Sequence, residues 1–441
     1  MKSPFALALV AILAVAPVRA ADNRDAVKAQ VDALYPDLRQ LYEQLHAQPE
    51  LSFQEAQTAA TVAAELRRSG YEVTTNVGGH GLVAVWRNGP GPTVLVRTDL
   101  DALPVPEQTG LPYASKRVVK DEQGKDVPVM HACGHDIHMT SLIGTARVLK
   151  ALKDRWSGTL VLIGQPAEER GGGAKAMLAD KLFERFPKPD YCLALHVTGE
   201  LPAGMVAYVE GYAMANVDSV DITVRGVGGH GAYPHLAKDP VVLASQIVLA
   251  LQTVVSRETA PNDPAVVTVG SIHGGTKHNV IPDEVKLQLT LRSYTDEVRE
   301  KTIASIRRIT QGLGQAAGLP EDRMPLVKVS DEFTPALYNT PALAQRLSET
   351  WKQWLGEGNV VKSKPVMGGE DFGRYGRTAD KIPICLYWVG ATTPETVMEA
   401  RKHNKTLPSI HSPFFAPAPE PTLKTGITTM TASVLELLGK K

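Results

Sequence analysis

The stretch Gly91-Pro-Thr-Val-Leu-Val-Arg-Thr-Asp-Leu-Asp-Ala-Leu-Pro104 indicates which class of fold the chain adopts. A Gly-Pro pair precedes a short aliphatic and β-branched run, which predicts a buried strand at residues 93–98. Two carboxylates, Asp99 and Asp101, follow that strand. A strand that is apolar on both faces belongs to a sheet covered by helices on both sides, so we expect helices before and after it.

Helices and strands alternate on either side of this strand. Apolar residues at helical spacing alternate with short apolar runs, a pattern typical of an α/β layer with a mixed, mainly parallel sheet. The predicted helices span residues 25–45, 53–70, 140–152 and 173–182, and the predicted further strands span residues 159–164 and 191–196.

The pattern changes near residue 214. Residues of alternating polarity predict strands at 218–225, 265–272 and 284–294, and helical spacing predicts helices at 239–257 and 296–312. An antiparallel sheet with two helices on one face accounts for this order. We therefore expect an inserted α+β domain at residues 214–327, within an α/β domain formed by residues 21–213 and 328–441.

Composition limits the classes of partner. The chain has 441 residues, which suits two or three domains, and its 43% of hydrophobic residues is typical of a folded globular protein. Because 47 Lys and Arg residues are balanced by 47 Asp and Glu residues, no basic excess is present to hold a phosphate backbone. A nucleic acid is therefore not an expected partner.

The first twenty residues have the pattern of a secretory signal peptide. Lys2 precedes an apolar run from Phe5 to Ala16, and the small residues Val18 and Ala20 fit a cleavage site near Ala20. The run is shorter than the roughly 20 residues that a membrane helix requires. With no second long apolar run expected, we predict a mature protein that is soluble, without a membrane partner, and secreted, or periplasmic in a Gram-negative source.

Three cysteines are too few for a disulfide framework in an exported chain of this size. Cys192 and Cys385 lie in apolar runs, where a thiol acts as a small buried hydrophobe. Cys133 differs, because it lies in His131-Ala-Cys-Gly-His-Asp-Ile-His138, among groups that bind metals or transfer protons.

Several polar motifs follow the predicted strands of the α/β layer. Taken singly each has a plainer interpretation: a helix cap for a lone Asp, a solvated pair for adjacent acids, a hydrogen-bonded core residue for a lone His. Ligands of open α/β sheets gather at the carboxyl edge, however, and these motifs would meet there. Their convergence predicts a metal site. A zinc finger is excluded by the lack of a second Cys pair, and a single-zinc protease by the lack of His-Glu-x-x-His. The motifs are Asp99-Leu-Asp101, Cys133-Gly-His135, Glu168-Glu169, His196 and His411.

An ordered set of motifs resembles the two-metal aminoacylase and carboxypeptidase family, in its hippurate-hydrolase and auxin-conjugate-hydrolase branch. The resemblance covers nearly the whole mature chain. It implies a zinc-peptidase-like catalytic domain interrupted by a ferredoxin-like lid and dimerisation domain. The motifs that carry it are His46-Ala-Gln-Pro-Glu-Leu-Ser-Phe53, Asp99-Leu-Asp-Ala-Leu-Pro104, His131-Ala-Cys-Gly-His-Asp136, Pro166-Ala-Glu-Glu169, Gly228-Gly-His-Gly-Ala-Tyr-Pro-His235, His278-Asn-Val-Ile-Pro-Asp283 and Gly368-Gly-Glu-Asp-Phe372.

The same resemblance implies two divalent metal ions and a general base. Thiolate, imidazole and carboxylate ligands suit Zn²⁺, Mn²⁺, Co²⁺ or Ni²⁺, and leave the choice among them open. Glu168 would take a proton from the attacking water and return it to the leaving amine. Asp101 would orient a ligand or hold the loop. The implied ligands are Cys133, His135, Glu169, His196 and His411.

The inserted domain is expected to complete the site. By resemblance, His230 binds the developing oxyanion, and in dimeric relatives this His comes from the partner subunit, which implies a homodimer. Asn279 is a candidate carbonyl or oxyanion donor. Arg292 is a candidate for holding a substrate carboxylate in two hydrogen bonds, with a surface strand residue as the plainer alternative.

The expected reaction is hydrolysis of the amide bond in an N-acyl amino acid, with an aryl-acyl or acetyl group. A small-peptide carboxypeptidase or dipeptidase is the alternative, and a non-catalytic binding protein is disfavoured by the complete ligand set and Glu168. Two departures from the family pattern leave their roles open. Arg170 stands where relatives commonly have Gly, and the charged stretch 116–127 fits either a lid or a surface hairpin.

Overall fold

The computed structural model describes residues 16–440, with side chains from Asn23 onward. The predicted signal peptide, residues 1–20, lies outside the described residues except for residues 16–20, which begin the first helix.

Eighteen strands are present among the described residues. In chain order they are β1 Glu72–Thr75, β2 Leu82–Arg87, β3 Thr93–Asp99, β4 Val118–Lys120, β5 Asp126–Pro128, β6 Thr159–Gln165, β7 Tyr191–Pro202, β8 Val206–Tyr208, β9 Gly211–Met214, β10 Asn216–Arg225, β11 Gly229–His230, β12 Ala265–Gly274, β13 Val280–Ile281, β14 Glu284–Ser293, β15 Leu326–Val329, β16 Leu337–Asn339, β17 Val360–Lys362 and β18 Ile384–Thr392.

Eleven α-helices accompany these strands in the described part of the chain. They are α1 Ala16–Ala47, α2 Ala56–Arg68, α3 His135–Ala151, α4 Gly173–Ala179, α5 Leu182–Arg185, α6 Pro240–Thr253, α7 Asp296–Ala316, α8 Pro341–Leu355, α9 Gly373–Gly376, α10 Pro394–Lys402 and α11 Pro419–Leu438.

The larger sheet has eight strands in the order β1-β2-β6-β3-β7-β18-β8-β17. Its centre, β6-β3-β7-β18, is parallel, whereas β1 and β2 are antiparallel additions at one edge. The central strands are almost wholly buried, since one hydrophobic cluster packs on each face of the sheet. Helices α1, α3 and α11 cover one face, around Trp156 and Trp351. The predicted mixed, mainly parallel α/β layer is confirmed.

The second sheet has four antiparallel strands in the order β12-β14-β10-β15. With helices α6 and α7 the chain order is β-α-β-β-α-β, which is the ferredoxin-like arrangement. Strands β10 and β14 pair over ten residues from Asn216↔Ser293 to Arg225↔Glu284. Apolar residues on one face of each strand meet both helices in a separate core. The predicted inserted α+β domain is thus confirmed, whereas its borders at residues 214 and 327 stay a prediction.

Helix α6 and the π-helical turn after it form one continuous apolar segment. Among residues 16–440, Pro240–Glu258 is the helix long and apolar enough, by length and composition, to cross a membrane. The expectation of no second long apolar run is therefore wrong for this segment. Its inward side, which includes Leu243, Ile247 and Leu251, packs in the core of the four-stranded sheet, whereas Val242 and Leu249 on its other side are exposed.

The elements near the polar motifs differ from expectation in three places. Helix α3 begins at His135, five residues before the predicted start, because Gly134 adopts a left-handed φ of 77° and turns the chain into the helix. The predicted helix 173–182 breaks where Lys181 is left-handed. Strand β7 continues six residues past His196, since β18 pairs with it as far as Pro202.

Candidate metal centre

Three polar residues on neighbouring strands of the larger sheet, Asp99, Gln165 and His196, lie side by side. Asp99 pairs with Gln165 across β3 and β6, and Arg97 pairs with Ala194 across β3 and β7. Two residues further along β7, His196 therefore stands beside Asp99. This is the carboxyl edge of β3 and β6, where both strands end, so the predicted meeting place of the motifs exists in the fold.

All five predicted ligands gather at this edge. The ligand atoms of Cys133, His135 and His196 lie within 4.8 Å of one another, and the same holds for the atoms of Cys133, Glu169 and His411. Two imidazoles come close to these partners: His196 Nε2 is 3.4 Å from Cys133 Sγ, and His411 Nε2 is 3.5 Å from a Glu169 oxygen. Because Cys133 belongs to both groups, its sulfur could serve as a ligand in either of them.

Hydrogen bonds determine which nitrogen of each buried imidazole faces the centre. His135 donates from Nδ1 to the carbonyl of Asp101 at 2.8 Å, and His196 donates from Nδ1 to the carbonyl of Val197 at 2.7 Å. With the proton on Nδ1, each neutral ring would offer its Nε2 lone pair to the cluster, which is the form that binds a metal. Burial opposes the imidazolium of His135, but Asp99 and Asp101 raise its pKa to about 10, so a bound cation would have to displace the Nε2 proton. His135 Nε2 is buried and has no hydrogen-bond partner among the described residues.

His138 lies beside the cluster, but both of its nitrogens are already used. Its Nδ1 donates to Asp99 Oδ1 at 2.7 Å, and its Nε2 accepts the backbone N–H of Val197 at 2.9 Å. No lone pair is left for a metal, so His138 braces Asp99 and strand β7. Its neutral form is the stable one, since burial lowers the pKa of His138 to about 3.

Asp101 connects the two halves of the ligand set. One carboxylate oxygen accepts a hydrogen bond from Ser52 Oγ at 2.6 Å and another from the backbone N–H of Glu169 at 3.0 Å. The other oxygen lies 3.4 Å from His135 Nδ1. Asp101 thus holds one candidate ligand by its ring and another by its backbone, a geometry that fits its predicted supporting role.

The electrostatics of the cluster favour cations. Burial, reinforced by Glu169 and Glu168, holds the pKa of the Cys133 thiol well above its usual range. Burial likewise raises the pKa of Glu169 to about 7, and the pKa of Glu168 rises further because Glu370 lies close by. A thiol and two carboxyls in such surroundings ionise together only when positive charge compensates them. Glu169 Oε1 is also buried without a hydrogen-bond partner among the described residues, so this donor set fits divalent metal ions.

Behind Glu168 lies a buried charge network. Arg97 is fully buried, and its guanidinium bonds to Asp99 at 2.6 Å, to Glu370 at 2.9 Å and to Asp371 at 3.2 Å. Oxygens of Glu168, Glu370 and Asp371 lie within 4.8 Å of one another. No role was predicted from the sequence for Arg97, Glu370 or Asp371. A charged residue inside an apolar strand was the available signal, since a buried arginine requires carboxylate partners.

Three further acids and a histidine support the ligand loops. Glu55 is fully buried, and its carboxylate accepts the backbone N–H of Ala167 at 2.8 Å, which holds that residue at a φ of 50° next to Glu168. His46 donates to Asp136 at 2.6 Å and to Glu107 at 3.0 Å. Sequence patterns offered no sign of these pairs, because the partners lie far apart in the chain.

The cluster opens into a cavity of about 580 Å³ between the two domains. The floor carries Cys133, Glu168 and His411, while Arg292 on β14 contributes to the wall on the side of the inserted domain. Arg292 is half-buried, and its Nη1 is buried without a hydrogen-bond partner in the described part of the chain. An unpaired guanidinium nitrogen at such a wall suits a substrate carboxylate.

His230 and Asn279 lie elsewhere. His230 ends β11 and Asn279 directly precedes β13, and the backbone N–H of Gly231 donates to the carbonyl of Asn279 at 2.8 Å. Both side chains are exposed, and neither lines the cavity. Within this chain the fold therefore brings together the five candidate ligands, Glu168, Asp101 and Arg292, but not His230 or Asn279.

Known proteins are similar to this chain over most of its length. A model of peptidase family M20/M25/M40 matches residues 95–434. Hippurate hydrolase of Campylobacter jejuni is 38% identical over 346 residues, which cover 77% of this chain and 85% of that protein. Thermostable carboxypeptidase 2 of Saccharolobus solfataricus is 36% identical over 373 residues, which cover 84% of this chain and 89% of that protein.

A solved structure is similar over almost the same length. The YXEP protein of Bacillus subtilis, described as a dinuclear metal binding peptidase from the M20 family, superposes with a TM-score of 0.72 and 29% identity, covering 92% of this chain and 100% of that chain. The resemblance predicted from the sequence is confirmed. With its ligand cluster at the carboxyl edge of the sheet, the chain belongs to peptidase family M20/M25/M40 and is a metal-dependent amidohydrolase or peptidase.

Proposed function

We propose that the chain hydrolyses the amide bond of N-acyl amino acids, releasing a carboxylic acid and an amino acid. The observation that carries this proposal is the ligand cluster of Cys133, His135, Glu169, His196 and His411, which opens with Glu168 into a cavity that has an unpaired arginine on its wall. Hippurate hydrolase, which is named for an N-acyl amino acid, is among the similar relatives.

Two divalent ions fit the donor set. His135 and His196 supply Nε2 atoms to one group, Glu169 and His411 belong to the other, and Cys133 is shared by both groups. When bound, the ions would supply Lewis-acid activation of a water molecule and of the amide carbonyl. The mixed sulfur, nitrogen and oxygen donors suit Zn²⁺, Mn²⁺, Co²⁺ or Ni²⁺.

Glu168 is the proposed general base. It lies 4.0 Å from His135 Nε2 and faces the cavity, so its carboxylate can take a proton from water and deliver it to the leaving amine. Burial and the nearby carboxylate of Glu370 hold the pKa of Glu168 well above its usual range, while Arg97 limits the effect. A bound cation would favour the carboxylate form of Glu168, which is the form that accepts a proton.

Arg292 is the proposed partner of the substrate carboxylate. Its half-buried position lowers the pKa of the guanidinium, and the nearby carboxylate of Asp218 is already bonded to Arg299 at 2.7 Å. Arg292 is therefore free to hold a carboxylate in two hydrogen bonds. A small peptide with a free carboxyl end would be held in the same way, which keeps a carboxypeptidase or dipeptidase as the second candidate, supported by the similarity to a thermostable carboxypeptidase.

His230 is proposed to act in the site of a partner subunit, which makes the active form a homodimer. Its exposure outside the cavity supports this proposal, as does an exposed apolar strip on the inserted domain. Val242 and Leu249 project from α6 with 55% and 73% of their surface exposed, and Ile272 projects from the edge strand β12. Such a strip, next to an unpaired strand edge, suits an interface between two copies.

Export is proposed from the leader pattern of residues 1–20, with cleavage near Ala20 and a secreted or periplasmic mature protein. Determining the N-terminus of the mature protein by mass spectrometry tests this. An intact Met1 in the purified native protein would rule it out.

A substrate panel tests the proposed reaction. N-benzoyl and N-acetyl amino acids are compared with dipeptides of the same amino acids, using protein loaded with each metal in turn. We expect higher kcat/KM for the N-acyl compounds, loss of turnover with a chelator, and recovery on adding metal. Turnover by metal-free protein contradicts the mechanism, and a uniform preference for dipeptides favours the peptidase.

A further inference from the structure

Arg170 forms part of the cavity wall directly after Glu168 and Glu169. Its side chain is 55% exposed, so the guanidinium lies at the mouth of the cavity rather than at the ligand cluster. It is the second arginine on the wall, since Arg292 faces the cavity from the inserted domain.

The guanidinium of Arg170 already holds a carboxylate. Glu122, in the turn between β4 and β5, lies against it with one oxygen 3.2 Å from Nη1 and the other 3.3 Å from Nη2. This two-point geometry is the one by which arginine recognises a free carboxylate group. Glu122 thus occupies a position beside the cavity at which Arg170 can bind a carboxylate.

The pair is exchangeable, because the hairpin does not depend on it. Val119 and Val127 pack against a small hydrophobic cluster, and Gln54 donates to the carbonyl of Lys120 at 3.2 Å. The Glu122 side chain is 52% exposed, and an ion pair with both partners this exposed contributes little to stability. A carboxylate from another molecule can therefore replace Glu122 at small cost.

Among the described residues, no other acid at the mouth of the cavity is hydrogen-bonded to Arg170. Glu332, also on the cavity wall, is bonded to Lys175 at 2.9 Å. Two guanidinium groups are therefore presented to one cavity, Arg292 with an unpaired nitrogen and Arg170 with an exchangeable partner.

We propose that Arg170 is a specificity residue that binds a second carboxylate of the substrate, while Glu122 occupies the same position when the site is empty. The preferred substrates are then N-acyl amino acids with two carboxylates, one held by Arg292 and one by Arg170. The second carboxylate belongs either to the amino acid, as in N-acetylglutamate, or to the acyl group, as in an N-succinyl amino acid. This inference rests on the proposed amidohydrolase function.

The test compares charged substrates with neutral ones of the same shape. kcat/KM is measured for N-acetylglutamate against N-acetylglutamine, and for N-succinyl-leucine against N-succinamoyl-leucine. In Arg170→Ala we expect the charged-to-neutral ratio of one pair to fall about fivefold or more, which corresponds to about 1 kcal/mol. The pair that responds identifies the side of the amide bond that carries the second carboxylate.

Glu122→Gln is a control for the direction of the effect. Without the Glu122 carboxylate, which competes for Arg170, the charged-to-neutral ratio of kcat/KM should rise, whereas Arg170→Ala should lower it. If the ion pair only stabilised the hairpin, both variants would change the ratio in the same direction. Arg87→Ala is the matched control, because Arg87 also pairs with an exposed acid, Glu72, at 3.3 Å but lies outside the cavity. It should leave both ratios unchanged.

Binding separates this inference from the proposed function. The affinity of each substrate is measured by calorimetry in metal-loaded Glu168→Gln protein, with and without Arg170→Ala. If the wild-type protein hydrolyses none of the four compounds, the proposed function fails. The charged-to-neutral ratios of binding affinity still test the role of Arg170 in that case. If Arg170→Ala changes neither ratio in turnover or binding, or if Glu122→Gln lowers it, the inference is overturned.

Discussion

At the level of single residues, the centre depends on where each proton and lone pair lies. His135 and His196 each use Nδ1 on a backbone carbonyl and present Nε2 to the cluster, whereas His138 uses both nitrogens inside the protein. Three histidines within one small region therefore have two different functions. Their chemical difference comes from which acceptor or donor each ring meets, not from residue type.

Cys133→Ser should lose metal and activity together. Cys133 is shared by both ligand groups, so replacing its sulfur weakens both ions. We expect the bound metal, measured by mass spectrometry of the purified protein, to drop clearly. Turnover should fall by more than the roughly 10- to 100-fold that loss of a supporting partner costs. Cys192→Ala and Cys385→Ala are the matched controls, since both thiols are buried in hydrophobic clusters, and equal metal loss in those variants would contradict the assignment.

Glu168→Gln should separate catalysis from metal binding. The amide keeps the size of the side chain but cannot accept a proton from water, so we expect kcat to fall about 10²- to 10⁴-fold. Metal content should stay unchanged, because the five candidate ligands remain. Glu72→Gln, on the exposed strand β1, is the control. Wild-type turnover by Glu168→Gln would refute its role as the base.

At the level of elements, the centre is supported by loops that buried charges hold in place. The loop after β6 is held by Glu55 through Ala167 and by Asp101 through Glu169. His46, near the end of α1, bonds to Asp136 at the start of α3 and to Glu107 in the loop after β3. Each pair joins segments that are remote in sequence, so the ligands keep their positions only while the elements stay packed.

His46→Gln should destabilise the protein in a pH-dependent way. Burial opposes the imidazolium, yet its hydrogen bonds to Asp136 and Glu107 raise the pKa of His46 from 6.5 to about 10. The stabilisation is therefore fully present below about pH 6.5 and is lost as pH rises toward 10. Urea unfolding should show a loss on the order of 3 to 5 kcal/mol at about pH 6, shrinking toward about pH 10.

The control for that prediction is a histidine paired at the surface. His403 lies 2.7 Å from Glu399, and both side chains are about half-exposed or more. His403→Gln should cost less than about 1 kcal/mol at any pH. A difference between wild type and His46→Gln that stays constant with pH would contradict the charged state assigned to His46.

At the level of the whole molecule, one subunit contains an incomplete set of the predicted groups. His230 lies outside the cavity that holds Glu168 and Arg292. The exposed apolar strip on α6 and β12 offers a surface through which a second copy can approach. On this proposal, association is part of catalysis and not only of stability.

Mixed dimers test whether subunits share their sites. His230→Ala and Glu168→Gln should each be nearly inactive alone, but a heterodimer of the two has one complete site. After unfolding and refolding an equal mixture, we expect recovery of about a quarter of wild-type activity, because half of the dimers are mixed and half of their sites are complete. Sedimentation should show a dimer throughout. No recovery from a mixture that forms dimers would place His230 in its own subunit.

The sequence alone predicted the α/β layer and the inserted α+β domain, and its resemblance to a known family implied the five gathered residues as ligands. A run of apolar residues such as 93–98 forms a strand that is buried on both faces. This property depends on neighbouring residues only, so it can be predicted from the sequence. The carboxyl ends of parallel strands meet at one edge, which locates Glu168 and Glu169 after β6 and His196 on β7. Cys133, His135 and His411 do not follow strands of that sheet, so only the family resemblance pointed to them.

Only the tertiary structure decided how those residues are held. The partners of Arg97, His46 and Glu55 lie up to 274 residues away, and no periodicity in the sequence reports a contact of that range. The close approach of Cys133 and His135 to β7 is a similar case, because a side chain at Gly134 would lie 2.4 Å from Val197. Packing between distant segments determines which ring nitrogens face the cluster and which buried charges pair with each other. These contacts form only when the chain folds, because their partners are far apart in the sequence.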